Sequence, residues 1–217
     1  MMKTDSQLQK DVVEELNWAP DVEHGHIGVA AHKGVITLTG HVPNYAMKIA
    51  AERAARRVLG VKAVAQEIEV RFPDDPKTSD DEIAQRILSL FAWDVSIPDR
   101  KIQVKVEKGY VTLTGEVEWN YQKQAAWKAA GRINGVKGVM NYLTVRQRPA
   151  AFDVRERIIA ALKRSAEVDA GAIDVHVDGS TVRLGGAVHG WNERRIAEAA
   201  AWAAPGVLKV EDNIILA

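Results

Sequence analysis

The chain repeats one hydrophobic pattern three times. A four-residue apolar period comes first: Leu8, Val12, Leu16, then Ile83, Ile87, Phe91, then Val154, Ile158, Leu162. That spacing predicts an amphipathic helix with one buried stripe. Thr4 with Gln7, Ser79 with Glu82 and Asp153 with Glu156 have the capping-box spacing at each helix start. Strict alternation follows in Ile27-Val29-Ala31, Ile102-Val104-Val106 and Ile173-Val175-Val177, which predicts a half-buried strand. A glycine turn then leads to a second strand with Ile36 and Leu38, Val111 and Leu113, Val182 and Leu184 inward, so the two strands form a hairpin.

After the hairpin the pattern becomes alanine-rich and helical, over Tyr45–Leu59, Tyr121–Ile133 and Asn192–Ala203. The small residues Ala51, Ala54, Ala55, then Ala126, Ala129, Ala130, then Ala197, Ala200, Ala201 share one face, which lets this helix lie close on the sheet. The pairs Gly60-Val61, Gly135-Val136 and Gly206-Val207 end it and open a third strand, with Val64, Ile68, Val70 and their counterparts inward. A helical crossover brings that strand back parallel to the second one. The expected fold is α+β: three tandem αββαβ units, each a three-stranded mixed sheet with two helices on one face and a polar open face. The units span 1–71, 79–146 and 151–217, separated by proline-containing joints at Phe72–Lys77 and Arg146–Ala150 that favour stiff spacers. The marker glycines Gly40, Gly115 and Gly186 lie 75 and 71 residues apart, a period that means duplication.

Units this small bury a modest fraction of their surface, so packing between neighbours is expected. With 47% apolar and 27% charged residues the composition is that of an ordinary folded chain. The formal net charge is zero and no unit carries a strong basic excess, which argues against nucleic acid as a partner. Cysteine is absent, so disulfides and thiolate chemistry are excluded. The polar N-terminus lacks the apolar core of a secretory signal, which gives a cytoplasmic expectation, or a periplasmic one if a leader has been removed. No apolar run is long enough to cross a bilayer.

The helix, the Gly-x-Val-Thr-Leu-Thr-Gly hairpin at 34–40 and 109–115, the alanine-rich helix and the Gly-Val before the closing strand resemble the BON domain. The likeness covers nearly the whole chain and is looser in the third unit, which has Arg183-Leu184-Gly185-Gly186 in the hairpin. It implies a non-enzymatic bacterial module of osmotic or envelope stress, often in the periplasm or at the outer membrane, with phospholipid as a proposed ligand. A cytoplasmic relative implies a further alternative, potassium sensing.

Five of the six tryptophans are the candidate contact residues. Trp18 and Trp93 follow the first helix at equivalent places, where the ring either caps the core or enters a lipid interface. Trp127 and Trp202 lie off the alanine face of the second helix, with Trp191 on the Trp202 stripe. These three are expected to contact a neighbouring unit, a second copy of the chain or another protein, rather than their own core. His24, His26, His32 and His41 all fall in unit one; the first three are expected on the outward side of the first strand, where a His-x-His pair suits zinc or nickel. Solvated histidines are the simpler reading, so no metal or other cofactor is expected. No nucleophile elbow, phosphate loop or dinucleotide fingerprint is present, and the chain does not read as an enzyme.

Overall fold

A computed structural model describes residues 3–72, 79–146, 153–165 and 168–216. The proline joints lie almost wholly outside these residues. The chain divides into two compact bodies, Met1–Val145 and Arg146–Ala217, so repeats one and two share a body and repeat three forms its own.

Repeat one runs α1 (Asp5–Trp18), a 3-10 turn (His24–His26), β1 (Ile27–His32), β2 (Val35–Val42), α2 (Tyr45–Arg57) and β3 (Ala63–Val70). Repeat two repeats the order as α3 (Asp80–Trp93), β4 (Ile102–Glu107), β5 (Tyr110–Val117), α4 (Asn120–Ala130) and β6 (Gly138–Val145). Repeat three has α5 (Val154–Arg164), β7 (Ile173–Asp178), β8 (Thr181–Val188), α6 (Trp191–Ala203), β9 (Lys209–Asp212) and β10 (Ile215–Leu216). In every repeat the middle strand pairs antiparallel with the first and parallel with the last, giving the expected mixed sheet.

Each repeat has its own core. In the first, Leu8, Val12 and Leu16 of α1 and Ala51, Ala54 and Ala55 of α2 close over Ile36, Leu38 and Ile68 of the sheet, all fully buried. Alanine on α2 lets the helix lie close on the sheet, and truncating the fully buried Leu38 would cost about 2–5 kcal/mol. The α1 cap at Thr4 is a full capping box, and the Ser79 hydroxyl accepts from the Glu82 N–H. Asp153 does not cap α5: its carboxylate turns to Arg157, 2.7 Å away, instead of to the helix N–H groups.

The marker glycines are fixed by backbone geometry. Gly40, Gly115 and Gly186 have φ of 106°, 131° and 97°. A Cβ at any of them would overlap the carbonyl oxygen of His26, Lys101 or Ala172, the residue just ahead of the neighbouring strand. The two-residue hairpin turns also require positive φ, at Lys33 (50°) and Gly34 (82°) and at Lys108 (52°) and Gly109 (81°). In repeats one and two the first helical residue secures this turn. Asp5 accepts the N–H groups of Lys33 and Gly34, and Asp80 those of Lys108 and Gly109.

The last strand carries a polar residue in an inward-facing register: Gln66, Asn141 or Asp212. Each accepts the N–H two residues on, from Ile68, Leu143 or Ile214. Gln66 and Asn141 also donate to helix carbonyls, at Lys48 and Lys123. In repeat three Arg194 takes that place, binding both the carboxylate and the backbone carbonyl of Asp212. With that carbonyl drawn out of the ladder, the expected third strand is split into β9 and β10.

Two further expectations change. The second helices of repeats one and two end earlier than the alanine pattern implies, at Arg57 and Ala130, with turns leading to the glycines. The open sheet face of repeat two is not uniformly polar, because Tyr110, Met140 and Tyr142 stand exposed on it.

Candidate binding surfaces

Among the described residues no helix is long and apolar enough to cross a membrane. Nor do three or more His, Cys, Asp or Glu side chains gather there in a metal-binding arrangement. The features that stand out are exposed aromatic and apolar groups.

Trp18 and Trp93 close α1 and α3 and are 85% and 86% exposed. They do not cap the core. The chain turns inward just after each, at Ala19 and Val22 in repeat one and at Ile97 in repeat two, and these residues fill the space under the helix end. The indoles are left pointing outward.

Their surroundings differ. Beside Trp18 lie Lys3, Asp11, Glu14, Glu15, Val58 and Leu59, which line a shallow groove. The carboxylates there are ion-paired, Asp11 with Lys3 at 2.6 Å, Glu14 with Lys10 at 3.7 Å and Glu15 with Arg57 at 2.7 Å. In repeat two the positions equivalent to Asp11, Glu14 and Glu15 are Arg86, Ser89 and Leu90. Arg86 precedes Trp93 by nearly two helical turns and shares its stripe. Val95, two residues past Trp93, is wholly exposed; Leu88 is 48% exposed but lies about 140° around the helix from Trp93, on another face. Asp94 is turned into the following loop, where it accepts from the Ser96 N–H at 2.9 Å and the Ser96 hydroxyl at 2.6 Å; these bonds hold its carboxyl below the usual carboxylate range.

Trp127 is half-buried, and its indole N–H donates to the Val139 carbonyl of its own repeat at 3.3 Å. It also meets a residue of repeat one. Tyr45, the first residue of α2, packs against the repeat-two core, with its hydroxyl beside the Trp127 side chain and the Val139 backbone. Burial pushes the Tyr45 phenol above its ordinary pKa. Gly131, which ends α4, makes room: a Cβ there would stand 3.2 Å from the Tyr45 ring. Trp202 behaves otherwise. It packs on its own repeat's core, and its indole N–H reaches Glu198 at 3.4 Å, one turn earlier on the same helix. The expectation that Trp202 avoids its own core is therefore overturned, because the short side chains of α6 leave the helix flank open for the ring to fold against. Trp191 opens α6 and holds the Arg194 guanidinium over its ring, 5.2 Å from the centroid.

The histidines are also rearranged. His24 and His26 form the 3-10 turn ahead of β1 and are not alternating strand positions; the chain must turn there to enter the hairpin. His26 stacks on His41 instead, with centroids 4.6 Å apart and planes 17° from parallel.

Sequence reasoning missed Tyr45, Leu88 and Val95. Leu88 was legible as one residue off the Ile83–Ile87–Phe91 stripe, a position that a single helix cannot bury. Tyr45 gave no local signal, because its partner lies in the next repeat.

The model of the BON domain matches residues 4–71, 79–147 and 151–217. The chain is 29% identical over 148 residues to osmotically-inducible protein Y of Escherichia coli K12, covering 64% of this chain and 71% of that protein. It is 31% identical over 122 residues to the outer membrane lipoprotein DolP of Haemophilus influenzae, covering 54% of this chain and 61% of DolP. A solved structure of CdsD, a structural protein of the Chlamydia trachomatis type III secretion system, aligns over 97% of the chain at 15% identity with a TM-score of 0.27, a likeness that bears on neither fold nor function. Three matched copies of one module, spanning nearly all of its length, make this chain a member of the BON domain family.

Proposed function

We propose that the chain is a non-enzymatic binding module of bacterial osmotic or envelope stress, and that its second repeat docks on anionic phospholipid. The observation that carries this reading is the exposed Trp93 with Val95 just past the end of α3 and Arg86 on the same stripe as Trp93. An indole there has an apolar body for the acyl boundary and an N–H for the headgroups. Burying roughly 100 Å² of apolar surface at about 25 cal/mol/Å² yields ~2–3 kcal/mol, against about 1 kcal/mol for a basic residue near an anionic surface. Insertion of the ring therefore outweighs attraction by Arg86. Trp18, set among paired carboxylates, is the weaker candidate. That one relative is named an outer membrane lipoprotein supports an envelope setting over the cytoplasmic expectation.

Co-sedimentation with phosphatidylglycerol-containing vesicles at low and moderate salt tests this. The chain is expected to pellet, Trp93→Ala to lose most binding and Trp18→Ala to keep most of it. A chain that stays in the supernatant at both salt concentrations sinks the proposal.

A second reading, scaffolding, is favoured by the Tyr45–Trp127 contact, which gives repeats one and two a common body. A two-repeat body suits a spacer that presents binding surfaces at a fixed separation. Scattering profiles of Tyr45→Ala that match those of the unaltered chain would count against it.

A further inference from the structure

We propose that His26 and His41 form a two-imidazole clamp for a late first-row divalent cation: zinc, nickel or copper. The antiparallel register pairs Ile27 with Gly40, so His26 lies across from His41 just beyond the end of the ladder. The rings stand 4.6 Å apart, within the span that one metal ion bridges when each nitrogen lies about 2 Å from it. The fold does not demand this pair. The same row holds Lys101 and Glu116 in repeat two, and Ala172 and Ala187 in repeat three. The imidazoles are thus a local addition to a scaffold that forms without them.

The clamp is open to solvent. His26 is exposed and His41 half-buried, and the adjoining row is the small pair Gly28 and Thr39. An imidazole lone pair lies in the ring plane, so two rings only 17° from parallel must turn before their nitrogens converge. The Cβ–Cγ torsion of histidine is broad, and exposed His26 is the ring that swings. Glu69 pairs with His41 in the parallel ladder, but its carboxylate is held by Arg71 at 2.8 and 3.0 Å. The protein ligands are therefore the two imidazoles, with water in the remaining positions. This is an open site rather than the closed four-ligand site that holds a fold together. Imidazole and these cations are matched in softness, whereas magnesium and calcium prefer oxygen.

Calorimetric titration of the tag-free full chain with zinc, nickel and copper at pH 7.5 is the test. The expected result is one equivalent bound. His26→Gln and His41→Gln should each weaken binding tenfold or more, while His24→Gln and His32→Gln change it less than twofold. Melting in metal-free buffer checks that the variants fold, and saturating zinc should raise the melting temperature of the unaltered chain but not of His41→Gln. Failure of all three ions to bind overturns the proposal. So does binding that survives both the His26 and the His41 substitutions.

Discussion

The carboxylate of Asp5 accepts the backbone N–H of Lys33 at 2.8 Å, tying the first turn of a helix to a hairpin twenty-eight residues along the chain. The same tie recurs between Asp80 and Lys108 at 2.7 Å. In repeat three the residue in register with Asp5 and Asp80 is Ala151, which carries no carboxylate. A tight turn with two left-handed residues is costly to hold, and a fixed acceptor for its N–H groups offsets part of that cost.

The bonds from Lys33 and Gly34 depress the Asp5 pKa below its ordinary value. The sign follows directly. A carboxylate with a lower pKa folded than unfolded adds stability that is present above the unfolded value, about 3.9, and is lost as pH falls through the folded value. Asp5→Ala should therefore melt below the unaltered chain near neutrality and converge with it in strong acid. Melting temperatures of both chains from pH 7 down to pH 2 measure this. Parallel curves would refute it.

Gly40→Ala should be among the most damaging single changes. The backbone there has a φ of 106°, and the new Cβ would overlap the His26 carbonyl, which cannot move without breaking the β1–β2 ladder. A cost of roughly 3 kcal/mol or more is expected. Gly179→Asn is the contrast: its φ is 56°, no neighbour lies within 4 Å, and asparagine tolerates that region. Its cost should be under about 1 kcal/mol. Urea denaturation of both variants decides.

Tyr45 is expected to couple two repeats. Tyr45→Ala should destabilise the first body by about 2 kcal/mol and separate the melting of repeats one and two. Tyr45→Phe, which keeps the ring beside Gly131 and removes only the hydroxyl, should cost about 1 kcal/mol. Denaturation followed by tryptophan fluorescence reports this, since Trp127 lies at the contact. Equal costs for the two variants would place all the coupling in the hydroxyl.

In repeat three, Arg194 and Asp212 form a 2.6 Å pair that is mostly shielded from solvent. Arg194→Ala leaves the carboxylate without its cation and should cost about 1–3 kcal/mol. Asp212→Asn combined with Arg194→Lys recreates the Lys123–Asn141 arrangement of repeat two and should recover most of that loss. Chemical denaturation of the single and double variants tests the equivalence.

Much of this protein was legible in the chain. The four-residue stripe of Leu8, Val12 and Leu16, the alternation from Ile27 to Ala31 and the alanine face of α2 specify their elements, because burial of one face is a local, periodic demand. Gly40 was visible as a marker, although its cause, the carbonyl of His26, is a contact across the hairpin. The exposed Trp18 and Trp93 were located, but their direction was not: whether a ring at a helix end turns in or out depends on what else fills the space beneath it, and Val22 and Ile97 fill it first.

Sequence by itself determined the repeat, its element order and the core of each unit, since these follow from periodicity and from the conformations that glycine and alanine allow. Only the tertiary structure decided that Tyr45 belongs partly to the neighbouring core, that Trp202 folds back on its own, and that His26 meets His41 rather than His24. Those outcomes depend on chain segments far apart in sequence competing for the same space, and no local pattern records that competition.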